Sequence, residues 1–235
     1  MEPIRRAAGR GRYTASMPPA DSLLPDLMAR LTPARRRRLT AALDGRTRRV
    51  CVALEGLRQE HNFSAVMRSC DAFGVQDVHL LDADDQFAIN REVALGAQKW
   101  LTIRRHESAA ACLASLRSRG YRIVATSPHE PATPLPELDV SQPIALLLGN
   151  ELHGLPPERL EQADERVAIP MAGLVESFNV SVAAAICLYD ITRRVRLTAG
   201  WPLPEGDREI LLGEWVRASI RNVEAIEEEL RRRAE

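Results

Sequence analysis

Ile144-Ala145-Leu146-Leu147-Leu148-Gly149-Asn150-Glu151-Leu152-His153-Gly154 is a run of five apolar residues that passes directly into a polar loop bounded by two glycines. Five residues are too few for a helix, and an unbroken apolar run lacks the alternation of a strand with one wet face. A strand covered on both faces reads this way, and such strands belong to parallel sheets packed between helices. The same signature recurs at Val50–Leu54, Val78–Leu81, Ile123–Thr126 and Val167–Ile169, and more weakly at Leu101–Ile103. Between these runs the apolar period lengthens to that of a helix. Phe63, Val66, Met67 and Cys70 fall at i, i+3, i+4 and i+7, and Ala110, Leu113 and Leu116 follow a similar spacing before Gly120. The alternation predicts an α/β fold, a mostly parallel sheet with helices on both faces.

Outward from this core the chain changes character. Residues 1–32 hold Gly9, Gly11, Pro18, Pro19 and Pro25 and read as a basic, mobile tail. Pro33 suits a first helical turn with Thr32 as its N-cap, which predicts a short helix carrying Arg35, Arg36, Arg37 and Arg38. A long helix is expected from about Ser177 to Leu197, then a break at Gly200–Gly206, then a helical extension over 201–235. Residues 33–200 form the main domain in this reading.

The 235 residues carry 32 basic and 32 acidic side chains, a formal net charge of zero. The first fifty residues nevertheless hold twelve arginines against four acids, Glu2, Asp21, Asp26 and Asp44. A basic segment beside an acidic remainder points to a polyanionic partner. Arginine also grips phosphate with two parallel hydrogen bonds, which lysine cannot do. Hydrophobic residues make up 45% and charged residues 27%, which excludes a wholly disordered chain. No apolar run approaches the roughly 20 residues needed to span a bilayer, and the N-terminus lacks a signal-peptide core. Cys51, Cys70, Cys112 and Cys187 lie far apart with no CxxC or Cys/His spacing, so reduced thiols, a cytoplasmic setting and no metal are expected.

Open parallel sheets bind ligands beyond the carboxyl ends of their strands. A GxGxxG fingerprint after the first strand is missing, and Gly149–Gly154 has P-loop glycine spacing with Leu155 where lysine is required, which disfavours an NTPase. Three segments are instead dense in polar groups at strand ends. The first is His61-Asn62-Phe63-Ser64-Ala65-Val66-Met67-Arg68, in which Asn62 sits where a helix cap belongs and Arg68 lies nearly two turns on, roughly on the same side. The second is Gly149–Gly154. The third is Ile169 to Ala185, with an Asn179-Val180-Ser181-Val182-Ala183 centre and Ser177 as another cap candidate. Taken singly, each also reads as a cap, a surface cation or a loop carboxylate.

In this order the three segments, with the Lys99-Trp100 pair between them, resemble the SPOUT-class RNA 2′-O-ribose methyltransferases. Within that class they resemble the TrmH group, which acts on a tRNA D-loop guanosine at position 18. The resemblance covers about residues 33–200. It implies a sheet whose C-terminal part is threaded into a deep trefoil knot, an exception to unknotted topology. It also implies an S-adenosylmethionine pocket in that knot and a homodimer. By the resemblance, Thr126, Leu148, Gly149, Ile169, Met171, Leu174 and Phe178 wall the pocket. Arg68, Asn62, Glu151, Ser177 and Asn179 form the catalytic cluster, with Asn179 and Glu151 organising the loops and Arg68. Arg35 to Arg38 and Lys99 contact RNA, and no metal is needed. Glu176 and Phe178 depart from the Gln and Leu common in the group, which bears on substrate specificity. The rival readings are a ribosomal-RNA 2′-O-methyltransferase and a knotted RNA-binding protein without catalysis. The complete set of five polar residues argues against the latter.

Overall fold

The computed structural model describes residues 23–81, 96–129 and 131–234. Its elements are α1 (Leu24–Ala29), α2 (Pro33–Asp44), β1 (Thr47–Glu55), α3 (Glu60–Phe73), β2 (Val75–Leu81), β3 (Thr102–Arg105), α4 (Ala109–Ser118), β4 (Arg122–Thr126), β5 (Thr133–Pro134), β6 (Ile144–Leu148), α5 (Pro157–Gln162), β7 (Glu165–Ala168), α6 (Val180–Val195), α7 (Glu205–Ala218) and α8 (Val223–Ala234). All seven strands are parallel, in the order β3-β2-β1-β6-β4-β7-β5. The quoted apolar run is the central strand β6, with Leu146 paired to Val52 of β1 and to Val124 of β4. Its five residues are fully buried, as a strand covered on both faces requires.

The pleat divides that strand between two cores. Ile144, Leu146 and Leu148 face α3 and α6, which bring Phe63, Val66, Met67, Cys70, Leu188 and Ile191. Ala145 and Leu147 face α4, which brings Cys112, Leu113 and Leu116. Ala110 was expected on that buried face but is exposed; Ser108 caps α4 and Ala109 takes the buried place. From β1 the chain runs outward to β2 and β3, then returns to build β4 on the far side of β6. The carboxyl ends of β1 and β6 therefore lie at the switch point where a parallel sheet binds ligands.

The ends of the chain pack together. Leu27 of α1, Leu39 and Leu43 of α2, and Leu211, Trp215 and Val216 of α7 share one apolar cluster, which α8 joins through Ile226 and Leu230. The expected mobile tail thus stops short of α1, whose Leu27 is fully buried; residues 1–22 lie outside the described residues. Thr32 caps α2 as expected, accepting from the Arg35 amide at 3.2 Å. Gly206 lies inside α7 rather than in a break. The α6 helix starts at Val180, three residues later than expected. Among the described residues no helix is long and apolar enough to cross a membrane.

Candidate active site

The loop after β6 closes on itself. Asn150 and Gly154 exchange backbone hydrogen bonds, N–H to O, at 3.0 and 2.9 Å. The Asn150 side chain accepts from the Leu152 and His153 amides at 2.8 and 3.2 Å and donates to the Gly56 carbonyl at 2.6 Å, fastening the loop to the end of β1. Gly149 is where the two arms cross. A Cβ there would lie 2.3 Å from the Gly154 carbonyl carbon and 2.4 Å from the Leu155 nitrogen. Backbone cannot yield as a side chain does, so only glycine fits.

Glu151 projects from this loop to the start of α3. Its carboxylate accepts from the Gln59 amide at 3.1 Å, the Arg58 amide at 3.4 Å and the Asn62 side-chain amide at 3.2 Å. Asn62 in turn accepts at Oδ1 from Asn179 Nδ2 at 3.1 Å. Asn179 caps α6, accepting from the Ser181 amide at 2.9 Å and its hydroxyl at 2.6 Å. One hydrogen-bonded chain, Glu151–Asn62–Asn179, therefore joins all three polar segments. Partial burial pushes the Glu151 carboxyl up, but hydrogen bonds from its own backbone, Asn62, Gln59 and Arg58 outweigh it and hold the group below the usual carboxylate value. Glu151 thus ties the loop after β6 to the start of α3.

That depression sets a testable sign. A carboxylate with a lowered folded-state value stabilises the fold fully above its unfolded value, and the contribution is lost as pH falls through the folded value. Glu151→Gln is expected to flatten the acid side of a melting-temperature profile below about pH 4.5 relative to wild type. An unchanged acid limb would remove the anchoring role.

Beside the chain lies a cleft of about 290 Å³. Thr126, Leu148, Gly149, Ile169, Met171 and Phe178 line it as expected, with Glu151, Glu176 and Ser177. Leu174 does not: it is fully exposed on the loop before α6. Ser177 is not the cap of α6, that place belonging to Asn179. Asn62 is not a cap either but the third residue of α3, buried, with Gln59 at the N-cap position.

Arg68 is the main departure. It stands exposed on α3, outside the cleft lining and outside the Glu151–Asn62–Asn179 chain. Six residues rotate a helix by about 600°, which leaves Arg68 some 120° from Asn62 rather than on its side. Arg35 is half-buried, stacked 5.0 Å over Trp100 and bonded to Ser219 of the C-terminal helices, while Arg37 and Arg38 are exposed. Lys99 is exposed in the short turn Ala97–Trp100. Sequence spacing missed Asn150, despite its adjacent glycine. It also missed the pair in which Arg159 grips Glu55 at 2.8 and 3.0 Å, tying α5 to the end of β1.

The lining suits S-adenosylmethionine. Leu148, Ile169, Met171 and Phe178 supply apolar surface for ring faces, and the loop backbones supply donors and acceptors for ring edges. The described lining residues include two carboxylates, Glu151 and Glu176, and neither Arg nor Lys. Such a field favours a sulfonium cation. When bound, the cofactor supplies an electrophilic methyl group. The chain itself supplies the crossing at Gly149 and the polar chain that fixes the cleft rim.

Comparison with known proteins agrees with this geometry. Residues 49–189 match the SpoU rRNA Methylase family. A tRNA (guanosine(18)-2′-O)-methyltransferase of Thermus thermophilus is 38% identical over 194 residues, covering 81% of this chain and 100% of the relative. The crystal structure of an Aquifex aeolicus TrmH/SpoU tRNA modifying enzyme superposes with a TM-score of 0.72 at 34% identity, covering 80% of this chain and 97% of that one. An AdoMet-bound rRNA methyltransferase from Sinorhizobium meliloti superposes with a TM-score of 0.58 at 28% identity, covering 66% of this chain and 59% of that one. The matched segment contains most of β1, all of β6 and β7 and most of α6, and with them the Gly149 crossing and the Glu151–Asn62–Asn179 chain; this protein belongs to the SpoU methylase family.

Proposed function

We propose that this cytoplasmic protein transfers a methyl group from S-adenosylmethionine to the ribose 2′-oxygen of guanosine 18 in the tRNA D-loop, acting as a homodimer. The observation that carries the reading is the hydrogen-bonded chain Glu151–Asn62–Asn179 at the rim of an acidic, apolar-walled cleft. The near-complete coverage of tRNA-modifying relatives, against partial coverage of an rRNA enzyme, supports tRNA over rRNA. The cleft belongs to the knotted segment that the resemblance implies.

Glu151, Asn62 and Asn179 are positioning residues that hold the loops around the methyl group. Ser177, which lines the cleft, is assigned a hydrogen bond to the ribose. Arg68 is assigned the developing alkoxide and a neighbouring RNA phosphate. A guanidinium keeps its proton near neutral pH, so it acts as a fixed charge, while phosphate or water accepts the proton. No step requires a metal, because the S–CH3 bond breaks as the O–CH3 bond forms and the sulfur leaves as a neutral thioether. The test is transfer of labelled methyl to unmodified tRNA and to rRNA; label in rRNA alone would overturn the substrate assignment.

Dimerisation accounts for large apolar side chains left exposed in the single chain. Val182 and Tyr189 lie on one side of α6, 44% and 58% exposed, and Leu174 and Val175, on the loop before α6, are exposed as well. Arg68, which does not line the cleft of its own chain, is assigned to the partner's cleft across that interface. Light scattering at micromolar protein is expected to give twice the chain mass, and Val182→Asp with Tyr189→Asp to give a monomer without transferase activity. A monomeric wild type would contradict this.

Arg37, Arg38 and Lys99 are assigned to tRNA phosphates. Arg37→Ala with Arg38→Ala is expected to weaken tRNA binding and lower the slope of log affinity against log salt by about 2, with cofactor affinity unchanged. An unchanged slope would remove both arginines from the RNA interface. Arg35→Ala is a poor probe, because Arg35 packs on Trp100 and bonds Ser219.

A further inference from the structure

His79, His106 and Cys112 are brought together by three elements on the α4 face of the sheet. His79 lies in β2, His106 follows β3 and is pinned by its amide to the Leu80 carbonyl at 3.0 Å, and Cys112 lies in the first turn of α4. One potential ligand atom from each lies within 4.8 Å of the others. The two rings are stacked, with centroids 5.1 Å apart and His79 Nδ1 2.9 Å from His106 Nε2. His79 is fully buried, and its Nε2 has no hydrogen-bond partner among the described residues. A simple pair of hydrogen-bonded histidines leaves that nitrogen orphaned in either tautomer, which native interiors rarely tolerate.

We propose that His79, His106 and Cys112 form a binding site for one Zn²⁺ ion, separate from the methyl-transfer cleft. Two imidazoles and a thiolate are nitrogen and sulfur ligands, which suit zinc and exclude the oxygen-seeking Mg²⁺ and Ca²⁺. Zinc bonds of about 2.0–2.3 Å place tetrahedral ligands roughly 3.3–3.8 Å apart, a spacing reached from ligand atoms that all lie within 4.8 Å of one another by small side-chain adjustments. His106 is only half-buried, which leaves an entry path and room for water in the fourth position. On binding, the Cys112 S–H bond breaks, a sulfur–zinc bond forms and one proton leaves to solvent.

The electrostatic setting is compatible. Burial, then His106, Arg119 and Arg104, push His79 down. Burial and the same two arginines lower His106. The two guanidiniums also bear on an incoming cation, and Asp77, fully buried two residues before His79, offsets part of their charge. Its carboxylate lies 3.9 Å from Arg104, 3.8 Å from Arg119 and 2.9 Å from Arg48. The thiolate cancels one charge of the ion. None of these side chains lines the methyl-transfer cleft, so the inference does not depend on the proposed reaction.

The test uses the full chain, dialysed against chelator and titrated with Zn²⁺ in competition with a chromophoric chelator, then with Co²⁺ as a spectroscopic substitute. One equivalent per chain is expected. His106→Ala and Cys112→Ser should each weaken binding beyond the ~10–100-fold that loss of an outer-shell partner costs. The cobalt protein should show a thiolate-to-metal absorption that Cys112→Ser lacks. His129→Ala and His153→Ala, at the cleft, should bind zinc like wild type. Absence of the thiolate absorption in the wild type overturns the site whether or not the variants fold. Zinc binding that survives His106→Ala but fails in His153→Ala places the ion at the cleft and overturns it as well. Cu⁺ uptake without Zn²⁺ or Co²⁺ uptake overturns the choice of metal.

Discussion

Arg68→Ala is expected to bind S-adenosylmethionine like the wild type while methyl transfer at saturating tRNA falls by about 10²–10³, the usual contribution of one fixed electrostatic group in a transition state. Cofactor affinity should hold because Arg68 is exposed on α3 and absent from the cleft lining. Arg68→Lys retains the charge but not the planar two-point grip, so it should restore little of the rate. Because Arg68 is assigned to the partner's cleft, mixed dimers of Arg68→Ala with a cofactor-binding variant should regain activity that neither homodimer has. Single-turnover assays separate chemistry from binding. A wild-type rate in Arg68→Ala would reduce the residue to a solvated surface cation, and full rescue by lysine would leave charge alone as its contribution.

Gly149→Ala is expected to abolish measurable cofactor binding, at least ~10²-fold in affinity, or about 2.7 kcal/mol. The added methyl would meet the Gly154 carbonyl carbon at 2.3 Å, the Leu155 nitrogen at 2.4 Å and the Gly154 oxygen at 2.5 Å. Relief requires the 149–154 loop to open, and the loop carries Glu151 and the fastening of Asn150 to Gly56. A destabilisation of about 1–3 kcal/mol from overpacking accompanies this, a melting shift of some 2–12 °C for a chain of this size. Gly154→Ala is the control. Its positive φ of 66° strains an alanine, but open space surrounds the position, so the loss should be smaller. Isothermal titration with S-adenosylmethionine decides; wild-type affinity in Gly149→Ala would mean that the crossing does not shape the pocket.

The sheet was readable because strands buried on both faces leave unbroken apolar runs. β6 spans the very residues of its run, Ile144–Leu148. β5 was not readable, since two residues, Thr133 and Pro134, carry no period. α5 was missed for a related reason: its six residues bury mainly Arg159, whose stem packs while its guanidinium pairs with Glu55. At the site, the polar residue types were visible but their connections were not. Glu151 and Asn62 are 89 residues apart, and Asn62 and Asn179 are 117 apart. No local pattern encodes such a contact; sheet topology does. The same holds for His79, His106 and Cys112, which no spacing rule joins. Arg68 shows the opposite error, in which closeness in sequence suggested a shared side that helical rotation denies.

The most direct measurement of the account is methyl transfer to two synthetic tRNAs, identical except that one carries 2′-deoxyguanosine at position 18. The account predicts about one methyl group per molecule in the all-ribose tRNA and none in the deoxy tRNA, with binding of both unchanged. Equal methylation of the two would contradict it, because the accepting atom would then lie elsewhere in the RNA.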